Sequence, residues 1–185
     1  MTSAFQTHPL SFVAVVPAAG VGKRMQSACP KQYLYIEDKT ILEHTVLRLL
    51  SHKLIEHVVV AISAGDEYFA DTLIANHPQV STVKGGKERV DSVLAGLKSI
   101  DESQYPWVLV HDGARPCVTT ADIDLLISHC LEYQQGGLLA YQVRDTMKSS
   151  NSNQLVESTV DRESLWHALT PQMYLVNELI SAIEF

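Results

Sequence analysis

Short apolar runs that stop abruptly, each followed by a segment of helical period, place the strongest limit on what this chain can fold into. Phe12–Val16 halts at Pro17, as a strand buried on both faces of a parallel sheet does. His57–Ile62, Val80–Lys84, Trp107–His111 and Leu138–Val143 read as further strands. Between them, Thr40-Ile-Leu-Glu43 is a capping box that opens an apolar-periodic helix through Leu50. Asp66–Ala75 and Glu88–Leu97 also read as helices. Thr120–Tyr133 is the longest, with Ile123, Leu126, Ile127 and Cys130 on its apolar face, and a last helical pattern begins near Val176. This alternation over 185 residues predicts a single α/β domain, residues 1–185, with a mostly parallel sheet covered by helices.

The rhythm breaks at Arg144. Asp145 to Glu157 is polar, with Ser, Asn and Gln clustered at Ser149–Gln154 and short strand-like pieces on either side. The expected feature is a β-arm projecting over residues 144–162; an ordinary surface loop is the alternative.

Charge and cysteine usage narrow the functional class. A net charge of −7 argues against a general nucleic-acid surface. It still permits a polyanionic ligand if the basic residues gather at one site. Cys29, Cys117 and Cys130 form neither a paired framework nor a metal-ligand spacing, and read as reduced thiols of a cytoplasmic protein. Cys29 reads as a bystander, with no nearby histidine to activate it. No apolar run reaches the roughly 20 residues of a membrane span. The polar start, Met1 to Leu10, does not resemble a signal peptide.

Two loops carry the chemistry. Pro17-Ala-Ala-Gly20-Val-Gly22-Lys-Arg24-Met25 follows the first strand, at the carboxyl end where open parallel sheets bind ligands. Small residues let backbone approach a ligand, and glycines allow several N–H groups to surround phosphate oxygens. Lys23, Arg24 and, after Pro30, Lys31 add cations. The dinucleotide pattern fails because Met25 stands where Gly or Ala is needed. The P-loop pattern fails at Pro17 and Arg24. Asp112-Gly113-Ala114-Arg115-Pro116 follows the strand ending at His111. A lone carboxylate there suits Mg²⁺ shared with phosphate oxygens, and Arg115 suits a substrate anion. The plainer alternatives are a tight turn with solvated charges and an Asp that only caps a turn. His111 continues the buried strand and reads as structural.

Together these segments resemble the 2-C-methyl-D-erythritol 4-phosphate cytidylyltransferase family. The resemblance rests on the first loop, Pro30-Lys31-Gln32-Tyr33, Gly85-Gly86 with Arg89 and Ser92, Asp112–Pro116, Val143-Arg-Asp-Thr146, Thr159-Val-Asp-Arg162, and Trp166-His-Ala-Leu-Thr-Pro-Gln172. The first loop is shared with many sugar nucleotidyltransferases, whereas the last three segments are more specific.

The resemblance implies a Rossmann-like three-layer nucleotidyltransferase fold with a projecting β-arm. It implies a reaction in which CTP and 2-C-methyl-D-erythritol 4-phosphate give the CDP-alcohol and pyrophosphate, with Mg²⁺, in non-mevalonate isoprenoid precursor synthesis. By the same resemblance Pro17, Ala18, Ala19, Gly20, Gly22 and Gly113 line the nucleotide, with Gly86 and Ser92 near the cytosine. Arg24 and Lys31 would stabilise charge at the α-phosphate. Asp112 would serve Mg²⁺ and substrate. Arg115, Thr146, Arg162 and Thr170 would hold the phosphorylated alcohol, and a homodimer formed through the arm would lend Thr146 and Arg162 to the partner's site.

Two departures stand out. The family usually has Ala where Gly113 stands. It also continues past Phe185, and its late basic residue has no counterpart here, so this chain is expected to bind CTP better than it binds the acceptor. The residues themselves leave two alternatives. One is a cytidylyltransferase for another polyol phosphate such as ribitol 5-phosphate, which a substrate panel separates. The other is a non-catalytic nucleotide-binding or dimerisation module, marked by CTP binding without pyrophosphate release.

Overall fold

Phe12–Pro17 forms β1 in the middle of a six-stranded sheet, and its inner residues are buried on both faces, as an uninterrupted apolar run requires. The structure, a computed structural model, describes residues 10–20 and 29–185. Strands β4 (Ile55–Ile62) and β5 (Val80–Lys84) extend the sheet on one side of β1, and β6 (Trp107–Val110) on the other. All four run parallel, with Val15 beside Val59 and Val110.

Helices cover both faces. The face bearing Ala14, Val16, Val58 and Leu109 packs against α1 (Ile41–Leu50) and α3 (Thr120–Tyr133) through Leu42, Val46, Ile123 and Ile127. The opposite face, with Val13, Val15, Val59 and Val108, meets α2 (Arg89–Leu97) and α4 (Val176–Glu184) through Val93, Leu97 and Val176. The expected three-layer, mostly parallel architecture is therefore present. The capping box also forms as read: the Thr40 Oγ1 accepts from the Glu43 amide, and Glu43 Oε2 accepts from the Thr40 amide.

Three segments differ from the sequence reading. Asp66–Ala75 is not an α-helix but a series of turns with one 3₁₀ turn at Phe69–Asp71. Asp66 Oδ1 accepts from the amides of Tyr68 and Phe69, and Glu43 Oε1 accepts from the Leu73 amide. Side chains thus take the donors that a helical ladder would use. Tyr35–Ile36 (β2) and Lys39–Thr40 (β3) form an unforeseen small hairpin, with Glu37 left-handed at its turn. Trp166–Leu175 is a ten-residue strand, β10, where no strand was expected. It enters the sheet antiparallel between β6 and β7 (Gly137–Gln142), with an irregularity between Ala168 and Gln172.

The arm is real. Met147–Ser150 (β8) and Val156–Val160 (β9) pair antiparallel as a separate two-stranded sheet, leaving Leu155 and Val156 exposed. No helix among the described residues is long and apolar enough to cross a membrane.

Candidate active site

Because β1, β4, β5 and β6 are parallel, their carboxyl ends share one edge of the sheet. Three loops meet there. Ala18, just past β1, is buried, and its amide donates to the Ala61 carbonyl at 2.8 Å. Gly85, just past β5, donates to the Ile62 carbonyl at 2.7 Å. A Cβ built on Gly85 would lie 2.6 Å from the Ala19 Cβ, so glycine here permits the contact between these loops.

Buried polar side chains hold these loops from behind, each with its hydrogen bonds made. Ser92, 2% exposed on α2, accepts from the Gly86 amide at 3.1 Å and donates to the Glu88 carbonyl. Its hydroxyl therefore holds the Gly85–Gly86 turn. Gln32 is 4% exposed, and its Nε2 donates to the carbonyls of Ala18, at 2.7 Å, and Gly20, at 3.1 Å. That ties the 3₁₀ turn Lys31–Tyr33 to the first loop and places Lys31, whose side chain is exposed, beside it. Tyr33 donates its hydroxyl to Asp66, and burial followed by the Asp66 charge pushes the phenol's pKa far up.

The third loop carries Asp112. Its carboxylate lies between two guanidiniums: Arg89 reaches Oδ1 with Nε at 2.8 Å and Nη2 at 2.7 Å, and Arg115 Nε lies 3.1 Å from Oδ2. The Asp112 amide donates to the Thr170 hydroxyl at 3.3 Å, joining this loop to the irregular stretch of β10. His111, fully buried, closes the turn by donating Nε2–H to the Arg115 carbonyl at 2.9 Å. Its Nδ1 has no hydrogen-bond partner among the described residues, and burial depresses the imidazole pKa. The structural reading of His111 holds. Gly113 donates no open space to the site: a Cβ there would meet Leu42, Val16 and Ala18 at 3.2–3.4 Å.

The arrangement is cationic with one carboxylate at its centre, which suits a polyphosphate. Among the described residues, no three His, Cys, Asp or Glu side chains group to hold a metal ion. A protein-only metal cage is thus not what these residues make. A single, partly exposed carboxylate does fit Mg²⁺ that takes its other ligands from phosphates and water.

The model of the 2-C-methyl-D-erythritol 4-phosphate cytidylyltransferase family matches residues 12–184. The chain belongs to this family. A family member from Colwellia psychrerythraea is 58% identical over 183 residues, 95% of this chain and 75% of that protein. One from Vibrio vulnificus is 57% identical, covering 94% and 74%. The crystal structure of the Francisella tularensis 2-C-methyl-D-erythritol 4-phosphate cytidylyltransferase superposes with a TM-score of 0.79 at 34% identity, covering 95% of this chain and 77% of that one.

Set against the residues expected from the family resemblance, the structure gathers most of the described ones. Pro17, Ala18, Ala19, Gly20, Gly86, Ser92, Lys31, Asp112, Gly113, Arg115 and Thr170 all lie on the loops at the sheet's carboxyl edge or on elements bonded to them. Gly22 and Arg24 lie outside the described residues. Thr146 and Arg162 sit at the two roots of the arm, exposed, and neither side chain bonds another described residue. Two further residues of the family motifs stand beside the site: Gln32 bonds the first loop, and Arg89 pairs with Asp112. The sequence signal for both was a polar residue inside a motif, and only the fold shows what each one touches.

Proposed function

We propose that this chain transfers a cytidylyl group from CTP to 2-C-methyl-D-erythritol 4-phosphate and releases pyrophosphate. The observation that carries this reading is the meeting of the Ala18–Gly20 loop, the Gly85–Gly86 turn and Asp112 at one sheet edge, in a chain of this family.

An oxygen of the acceptor phosphate attacks the α-phosphorus of CTP. The new P–O bond forms in line with the α–β bond, which breaks to release pyrophosphate. The attacking phosphate is already anionic at neutral pH, so no strong general base is needed. The difficulty is to align two mutually repelling anions and to offset charge at a crowded phosphorus. Arg24 and Lys31 supply that charge. The Ala18–Gly20 backbone and the Gly86 turn, held by Gln32 and Ser92, orient the nucleotide. Asp112 would hold Mg²⁺, which when bound would offset charge on the nucleotide phosphates. Arg115, Thr170, Thr146 and Arg162 hold the acceptor. The protein acts as a homodimer in the cytoplasm. Support for the dimer comes from the arm, a hairpin separate from the main sheet with Leu155 and Val156 exposed.

A pyrophosphate-release assay with CTP, Mg²⁺ and 2-C-methyl-D-erythritol 4-phosphate tests the reading. Release that depends on all three is expected. CTP binding with no release, or faster release with ribitol 5-phosphate, would overturn it.

A further inference from the structure

Arg89 makes the shortest polar contacts to Asp112, yet the reaction as outlined gives it no task. It reaches over from the first residue of α2, 23 positions earlier in the chain. Both of its contacting nitrogens address the same oxygen, Oδ1, at 2.8 and 2.7 Å. This is not the fork-to-fork pairing in which each nitrogen meets its own carboxylate oxygen, the geometry that gives Arg–carboxylate pairs their strength. Arg115 takes Oδ2. Each oxygen of Asp112 therefore already faces a cation.

The three side chains are 50%, 29% and 48% exposed for Arg89, Asp112 and Arg115. Pairs this open to solvent are individually weak and exchangeable. The two arginines are not equally placed to leave. Arg115 belongs to the same short turn as Asp112, and His111 pins its carbonyl. Arg89 belongs to a different element, and its side chain has no other hydrogen-bond or ion-pair partner among the described residues. A divalent cation approaching Asp112 thus meets Arg89 on Oδ1.

We propose that Arg89 is a positioning residue that competes with the divalent cation for the Asp112 carboxylate. It holds Oδ1 and sets how much cation is needed to claim that oxygen. This rests on the reading of Asp112 as the residue that serves Mg²⁺. Arg89 is not a catalytic residue in this account, because it acts through Asp112.

The test uses Mn²⁺ as a paramagnetic probe, read by the enhancement of water-proton relaxation that marks protein-bound Mn²⁺ over Mn²⁺–CTP in solution, during titration of the full chain with saturating CTP. Arg89→Ala removes a competing cation worth about one exposed ion pair, so half-saturation should fall by about two- to fivefold. Arg89→Gln, which keeps the stem through Cδ and an N–H donor without the charge, should show the same direction and guards against a packing effect. Unchanged or raised half-saturation in both variants would overturn the proposal. Calorimetry of CTP binding without divalent cation should give the same affinity for Arg89→Ala as for the unaltered chain. A loss there would make Arg89 a nucleotide ligand and would equally overturn it. Asp112→Asn separates the role of Asp112 from that of Arg89. If it leaves Mn²⁺ half-saturation untouched, the reading of Asp112 fails. If it raises half-saturation while the Arg89 variants do nothing, only the competition fails.

Discussion

The Gln32 side-chain amide donates to the Ala18 carbonyl at 2.7 Å and bridges on to Gly20, so one buried side chain fastens the Lys31 turn to the Ala18–Gly20 loop. Gln32→Met keeps the volume and removes both donors. A buried carbonyl left without its partner costs about 1–3 kcal/mol. Urea unfolding should show a loss of that size, and CTP affinity should fall with it. Unchanged CTP affinity with the stability loss would mean that the loop holds its shape without Gln32.

Arg24 and Lys31 are expected to act in the transition state rather than in binding. Arg24 lies outside the described residues; Lys31 sits exposed at the start of its 3₁₀ turn. Replacing either by Ala should lower kcat by ~10²-fold or more, the scale of removing one preorganised charge-stabilising donor. A change confined to KM would assign the residue to uniform binding instead.

Gly85 tests the contact between the first and second loops. A methyl group there would lie 2.6 Å from the Ala19 Cβ and 2.8 Å from the Ser92 Oγ, too close for either to remain in place. Gly85→Ala should cost about 1–3 kcal/mol in stability, the usual penalty of overpacking. It should also weaken CTP binding, because the displaced atoms belong to the loops proposed to hold the nucleotide. Calorimetry and thermal unfolding read the two effects separately.

His111 predicts a pH dependence of stability. Burial depresses its folded-state pKa below the ordinary histidine value of 6.5. Hydrogen bonding to the Arg115 carbonyl and the Asp112 charge oppose that shift, and the charges of Arg115 and Arg89 add to it. Below pH 6.5 the unfolded chain takes up a proton that the folded chain resists. Stability should therefore be full above that pH and decline as pH falls through the depressed folded value. His111→Gln, which can still donate to the Arg115 carbonyl, should show a shallower fall in Tm between pH 7 and pH 5. His57 shares the depressed direction through burial and accounts for a residual slope. An identical slope in the variant would assign the acid sensitivity elsewhere.

Arg162 and the arm make a prediction about quaternary structure. Arg162 follows β9 at the arm's base, its side chain exposed and without a bond to its own chain's described residues. If it serves the neighbouring subunit, an Arg162→Ala subunit paired with a Lys31→Ala subunit contains one intact site. Heterodimers isolated by two affinity tags should recover activity that both parent homodimers lack. Inactive heterodimers would place Arg162 in its own subunit's site.

The local grammar of this chain was legible without coordinates. The apolar run Phe12–Val16 had to be an inner strand, Thr40 and Glu43 had to cap a helix, and the glycine-rich and Asp112 loops had to follow strands. Each depends on neighbours within a few positions. What lay beyond the sequence were pairings between distant residues. Trp166–Leu175 carries no clean alternation, since it is covered unevenly and broken near Thr170, so only its place between β6 and β7 makes it a strand. Asp66–Ala75 has helical spacing, but Glu43, some 30 positions earlier, accepts the amide of Leu73 and helps hold a different backbone path. Arg89 and Gln32 were visible as polar letters in motifs. That one grips Asp112 and the other binds the Ala18 carbonyl follows from parallel strands bringing their carboxyl ends to one edge, a long-range geometry that no local pattern encodes.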